Sequence, residues 1–311
     1  MPKISAPRKG SLQFWPRKRA AKYLPRVNWS NLNSNKTLKG FICYKAGMMS
    51  AFVKDNSLDS MTKDKQIIIP ITILECPPMK ILSVRFYKDG KVLNEVLVEG
   101  LDKELKKKIK LPKTSKKLGE IKEEYDDIRL ICYSVVKKTN LKKKPDLVEI
   151  GLNGSNEDKI KFVKENASKE ISVVDVFEKG QLIDFRGLTK GKGFCGPVKR
   201  FGVTLKSHKS EKGVRRPGTL GPWHPARVIF RVPMAGQLGM FTRCVYNTKI
   251  VDMGKSEKKF NNIKNYGEIK TDYIAVKGSV QGSAKRQLVA TAPLRETKKT
   301  KKQNFELVEF R

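Results

Sequence analysis

The chain has 311 residues, and its 66 lysines and arginines outnumber 31 acids to give a formal net charge of +35. A single-signed field of that size opposes a compact isolated state and is the footprint of a polyanionic partner, RNA or DNA. No apolar run approaches the ~20 residues of a membrane span, no apolar signal core opens the chain, and Pro7, Pro16 and Pro25 break up any amphipathic membrane helix in the amino-terminal stretch.

The expected protein is therefore intracellular, with one or two domains and no membrane partner. A hydrophobic share of 39% is low for a wholly globular chain, so part should fold alone and part should not. Cys43, Cys76, Cys132, Cys195 and Cys244 stand far apart without a C-x-x-C pair. That excludes a zinc ribbon and fits reduced, buried thiols.

Residues 1–39 read as a basic arm, with Arg8, Lys9, Arg17, Lys18 and Arg19 as phosphate contacts. Phe14, Trp15, Tyr23 and Trp29 are more aromatic than a disordered tail carries, so the arm is expected to order on its partner. Globular structure is expected from Gly40, with strands at residues 41–44, 66–74, 81–86 and 92–98. Asp89-Gly90 marks a hairpin turn, and Pro70 marks an edge or bulge.

Residues 40–100 are assigned to the first part of a β-barrel, and 101–178 to an α/β insertion entered through a lysine-rich connector at 103–117. In the insertion, acids become frequent, Asn156-Glu157-Asp158 caps a helix, and Ser172-Val173-Val174-Asp175 forms a capping box. Residues 179–189 return to a barrel strand, 250–297 supply the rest of the barrel, and 298–311 form a tail with the cationic run Lys298 to Lys302.

Between these barrel segments, residues 190–249 hold one carboxylate, Glu211, among closely spaced cations. Glycine and proline interrupt every run long enough to build a helix or a core, so this stretch cannot fold by burying its own surface. Lys190, Lys192, Lys199, Arg200, Lys212, Arg215, Arg216, Arg227, Arg231 and Arg243 are its candidate phosphate contacts. Phe194, Phe201, Trp223 and Phe230 offer flat faces to unpaired bases, and His224 a hydrogen bond to RNA.

Three motifs suggest other chemistry and lack its context. Gly191-Lys192-Gly193-Phe194-Cys195-Gly196 matches G-x-G-x-x-G, but the residues after it read as extended and turn-rich, without the helix a pyrophosphate requires. His208 and His224 have no cysteine or carboxylate at ligand spacing. The Glu123-Glu124-Tyr125-Asp126-Asp127 cluster has no nucleophile or phosphate loop beside it and reads as a solvated end of an element. No catalytic residue, metal, cofactor or small-molecule substrate is expected.

Gly187-Leu188-Thr189-Lys190-Gly191-Lys192-Gly193-Phe194, Val198-Lys199-Arg200-Phe201-Gly202, Gly221-Pro222-Trp223-His224-Pro225-Ala226-Arg227-Val228 and Ala235-Gly236-Gln237 resemble the universal large-subunit ribosomal protein L-three family. Pro7-Arg8-Lys9-Gly10-Ser11-Leu12 with Pro16-Arg17-Lys18-Arg19-Ala20 resembles its archaeal and eukaryotic branch. The resemblance implies a mainly β, translation-protein-type β-barrel with a small α/β insertion, a basic arm and a long internal loop that penetrates ribosomal RNA.

It further implies a cytoplasmic, structural role in the large ribosomal subunit and in early assembly. The loop would extend toward the peptidyl transferase centre with Trp223 at its tip. Implied partners are large-subunit ribosomal RNA and neighbouring proteins, notably protein fourteen. Where eukaryotic relatives often carry a histidine shortly before the tip, this chain has Glu211, so a modification of that histidine does not transfer. An RNA-modifying enzyme and a free single-strand binder are the competing classes; the first lacks a catalytic constellation, and the second predicts tight binding to unstructured oligonucleotides.

Overall fold

The computed structural model describes residues 7–112, 124–209, 212–256 and 260–311. They fall into two compact units, one made of Met1–Lys22 with Leu188–Thr242, the other of Tyr23–Gly187 with Arg243–Arg311. Mainly β structure is found, as expected.

The larger unit begins its strands with β1 (Gly40–Asp55) and β2 (Gln66–Cys76), an antiparallel pair with a register shift between Lys45 and Gly47. Next come β3 (Met79–Lys88) and β4 (Lys91–Leu97), joined by Asp89 and Gly90 at φ 49° and 72°. Positive φ at both positions is the tight hairpin geometry that Asp-Gly favours. β3 then pairs with β5 (Asp127–Ser134), and β5 with β6 (Leu147–Gly151), in a four-stranded sheet of order β4-β3-β5-β6. The change of sheet thus falls at Pro77-Pro78, ahead of β3, rather than near residue 100.

The helix α1 (Asn156–Asn166) follows, started one residue earlier than expected by Ser155, whose side chain accepts from the Asp158 amide. The Ser172–Asp175 capping box forms as expected. The remaining elements are β7 (Leu182–Leu188), β8 (Phe194–Cys195), α2 (Pro197–Phe201), β9 (Gly236–Gln237), β10 (Thr242–Lys255), β11 (Asp272–Lys277), β12 (Gln287–Thr291), α3 (Lys298–Lys301) and β13 (Phe305–Phe310).

Six of these strands have a hydrogen-bonded order that returns to its start. β1 pairs with β2, β2 with β11, β11 with β10, β10 with β7, β7 with β12, and β12 again with β1. The length of β1 makes this possible: Gly40–Tyr44 pairs with β12, while Ala51–Asp55 is left for β13. Pro70 sits where the β11 register ends at Lys277↔Ile71; its carbonyl accepts from the Gly278 amide, and the Gly278 carbonyl, which a residue 70 amide would face, accepts from Thr72 Oγ1 at 2.7 Å.

The structure corrects three expectations. The segment after Tyr23 is not part of a free arm, because Val27, Trp29, Leu32 and Leu38 are buried in the main core. Trp29 fits where two glycines leave room: a Cβ on Gly151 would stand 2.6 Å from the Trp29 Cβ, and one on Gly40 2.8 Å from its Cη2. The lysine-rich connector is not merely solvated; Leu105 is fully buried with Leu82 and Tyr133. Residues 298–311 form α3 and β13 rather than a plain tail.

In the acidic cluster Glu124 and Asp126 are exposed, as a solvated end requires, whereas Asp127 is held in ion pairs. Asp127 Oδ1 pairs with Lys159 Nζ at 2.7 Å and Oδ2 with Arg129 Nε at 3.0 Å. Glu123 lies outside the described residues.

Candidate nucleic-acid interface

The smaller unit is assembled from two stretches far apart in sequence. Residues 188–242 begin and end as a narrow ladder: the Thr189 amide donates to Phe241 O at 3.0 Å, the Lys192 amide to Leu238 O at 2.9 Å, and the Leu238 amide to Gly193 O at 2.9 Å. β8 and β9 close it through Phe194↔Gln237 and Cys195↔Gly236.

A helix does follow the glycine-rich motif, contrary to expectation. Gly196 caps α2, Pro197 opens it with a preset φ, and Gly202 at φ 67° ends it after five residues. The dinucleotide reading still fails, since β8 pairs antiparallel to β9 and is not part of a parallel crossover.

Against this ladder lies the arm. The Ala20 amide donates to Met240 O at 3.0 Å. Arg17 Nη1 donates to Arg200 O at 2.9 Å, while Arg200 Nη2 donates back to Arg17 O at 3.1 Å. Arg200 also donates from Nε to Gln237 O and from Nη1 to Met234 O, both at 3.0 Å. One planar guanidinium therefore ties three backbone carbonyls, a geometry its fixed fork of donors suits. Burial draws its pKa below the usual arginine value, with Cys195 opposing.

An aromatic cluster sits beside this clamp. Trp15 stacks on Phe201 at 6.0 Å and 26°, and meets Phe230 edge-on at 5.4 Å. Arg17 lies 4.2 Å from the Phe201 centroid and Arg200 5.1 Å from it. Gly10, at φ 76°, allows the chain to pass so closely that a Cβ there would be 2.6 Å from Phe201 Cδ1. Arg8 Nη2 donates to Arg231 O.

Phe201 is thus only 6% exposed and gives no face to a base, which corrects its proposed stacking role. The arm also makes contacts within the protein, through Trp15 on Phe201, Arg17 on Arg200 and Ala20 on Met240. Sequence reasoning missed this because its two halves stand 183 residues apart; the paired occurrence of aromatic and arginine in both stretches was the available hint.

Beyond the ladder the prediction of a coreless stretch holds. Among the described residues from Gly202 to Leu238, none is buried. Lys190, Lys192, Lys199, Lys212, Arg215, Arg216, Arg227 and Arg231 are exposed, and none forms an ion pair with a described carboxylate. Phe194, Trp223 and Phe230 are 82%, 86% and 67% exposed, and His224 is exposed beside Trp223.

On the arm, Arg8, Lys18 and Arg19 are exposed and Lys9 is half-buried. Arg243, on β10 in the other unit, is also half-buried. Lys298, Lys299 and Lys302 rim a cleft of about 600 Å³ with Lys277 and Phe305. Glu211 lies outside the described residues.

Among the described residues, no group of three or more histidines, cysteines or acids could hold a metal ion. No helix among them is long and apolar enough to cross a membrane. A mainly β chain with exposed cations on a stretch without buried side chains and on an arm has the charge pattern of a structural, nucleic-acid-facing class.

Comparison with known proteins gives the family. The model described as Ribosomal protein L3 matches residues 1–310. The chain is 40% identical over 309 residues to "Large ribosomal subunit protein uL3" of Methanocaldococcus jannaschii, covering 94% of this chain and 92% of that protein. It is 41% identical to the protein of that name from Methanococcus aeolicus at the same coverage of 94% and 92%, and 37% identical to that from Methanobrevibacter smithii, over 94% and 93%. The chain belongs to the ribosomal protein L3 family, structural and non-enzymatic components of the cytoplasmic ribosome.

Proposed function

We propose that the chain binds large-subunit ribosomal RNA, promotes early assembly of the large subunit and extends residues 190–249 toward the peptidyl transferase centre. The observation that carries this reading is the absence of any buried side chain among the described residues between Gly202 and Leu238, in a stretch where Lys212, Arg215, Arg216, Arg227 and Arg231 are exposed and form no ion pair with a described carboxylate. Such a segment has no apolar burial to offset its ordering entropy and takes its shape from phosphates.

In this reading Arg8, Lys9, Lys18, Arg19, Lys190, Lys192, Lys199, Lys212, Arg215, Arg216, Arg227, Arg231 and Arg243 neutralise phosphates, with Trp223 and His224 at the tip. Arg17 and Arg200 act differently, holding arm and ladder together so that their neighbours face RNA. The six strands whose pairing order closes form the translation-type β-barrel, and β3–β6 with α1 form its α/β insertion. Protein fourteen is the proposed protein neighbour, on the family resemblance.

The test is Trp223→Ala in ribosomes. At 86% exposure the side chain contributes little to folding, so stability should stay within about 0.5 kcal/mol of wild type and the protein should still cofractionate with large subunits in a sucrose gradient. Translation rate or fidelity should fall. Wild-type rate and fidelity would remove the tip role, and absence from the large-subunit fraction would remove the whole reading.

A further inference from the structure

β13 is hydrogen-bonded on one side only among the described strands, to Ala51–Asp55 of β1, and it ends the sheet order. Its inner side chains anchor it: Phe305, Leu307 and Phe310 pack on a core cluster, with the Phe310 ring 5.0 Å from Phe260. The register shift between Phe52 and Val53 leaves Val308 as the extra residue. Glu306, Val308 and Glu309 are all exposed.

An open strand edge is a template for another strand. Natural edges are commonly guarded by lysine, proline or a bulge. The bulge at Val308 interrupts this edge at one position only, and residues 305–310 contain no lysine or proline. They carry two glutamates instead, in a chain of net charge +35. Glu306 accepts from Asn56 Nδ2 at 3.2 Å, and Lys54 stands opposite it in register, yet neither glutamate forms an ion pair with a described cation.

The charges select the occupant. A second copy of this edge would bring glutamates together, and like charges across a ladder are unfavourable. RNA phosphates would be repelled as well. An extended segment with alternating lysine or arginine satisfies both the open ladder and the glutamates.

We propose that β13 is a docking edge for a basic, extended segment of a neighbouring protein, which adds to the sheet as a further strand. The inference rests on the ribosomal reading only for the supply of such neighbours.

The test uses the full-length chain and a fluorescent hexapeptide of alternating lysine and valine, followed by anisotropy and by amide exchange along residues 305–310. Binding should slow exchange in β13 and weaken with salt. E306K/E309K, verified as folded by circular dichroism, should bind roughly tenfold more weakly, and E306Q/E309Q should fall between.

Equal binding by all three proteins, no protection of β13, equal binding of a glutamate-valine hexapeptide, or protection of β13 by single-stranded RNA instead would each overturn the proposal. Cofractionation with large subunits is scored separately, so the docking edge and the ribosomal reading can fail independently.

Discussion

Replacing Phe201 by alanine should release the arm without unfolding the larger unit. The ring is 6% exposed, stacks on Trp15 and lies 4.2 Å from the Arg17 guanidinium. Burial of a phenylalanine contributes ~1.5–3 kcal/mol, the ring pair ~0.5–1.5 kcal/mol and the cation contact ~0.5–1 kcal/mol. Together these come to roughly 2.5–5.5 kcal/mol, or at least about a hundredfold in the docking equilibrium of the arm. Amide exchange in the RNA-free protein reads it directly. The Ala20 amide, bonded to Met240 O, should exchange at least about a hundredfold faster in Phe201→Ala, while the amides of β1, β2 and β11 keep wild-type rates. An arm as protected as in wild type would refute the claim that this ring holds it.

Three further outcomes follow from other contacts. R215E/R216E should weaken binding to large-subunit RNA and flatten its salt dependence by about 0.7–0.9 in log–log slope per phosphate lost, read from filter binding at several salt concentrations. Tyr44→Phe removes a fully buried hydroxyl that donates to Asp146 Oδ2 at 2.6 Å and lies 2.7 Å from Ser134 Oγ. It should cost about 1–3 kcal/mol in denaturant unfolding.

Acid stability should depend on Asp127. Burial pushes its carboxyl upward, but hydrogen bonds and charge from Lys159 and Arg129 outweigh this and hold it below the usual carboxylate range. A lowered folded pKa stabilises fully above the unfolded value of about 4 and is lost as pH falls through the folded value. Asp127→Asn should therefore flatten the loss of melting temperature on the acid side of pH about 4, with little change in slope at neutral pH.

What the sequence made legible was local. Strand positions followed from β-branched runs, the hairpin from Asp89-Gly90, and the cap from Ser172 and Asp175, since each signal spans only a few residues. The places where reading failed were long-range. Nothing near Trp29 announces that Gly40 and Gly151 open a slot for it, and nothing near Phe201 announces Trp15. The helix α2 was missed because the residues from Pro197 to Thr204 read as extended and turn-rich, although proline suits the first helical position. For the interface, the cations could be counted along the chain, but not which of them hold carbonyls instead of facing solvent.

The arginine clamp also sets an order of events at synthesis. Arg17 and its partner Arg200 are separated by 183 residues, which at 5–20 residues per second is roughly 10–40 s of elongation. Throughout that interval the newborn arm has emerged with no mate to grip, a loose polycation in a crowd of RNA. Docking of the arm therefore waits until Arg200 and Met240 have been made, which places it among the late events of folding.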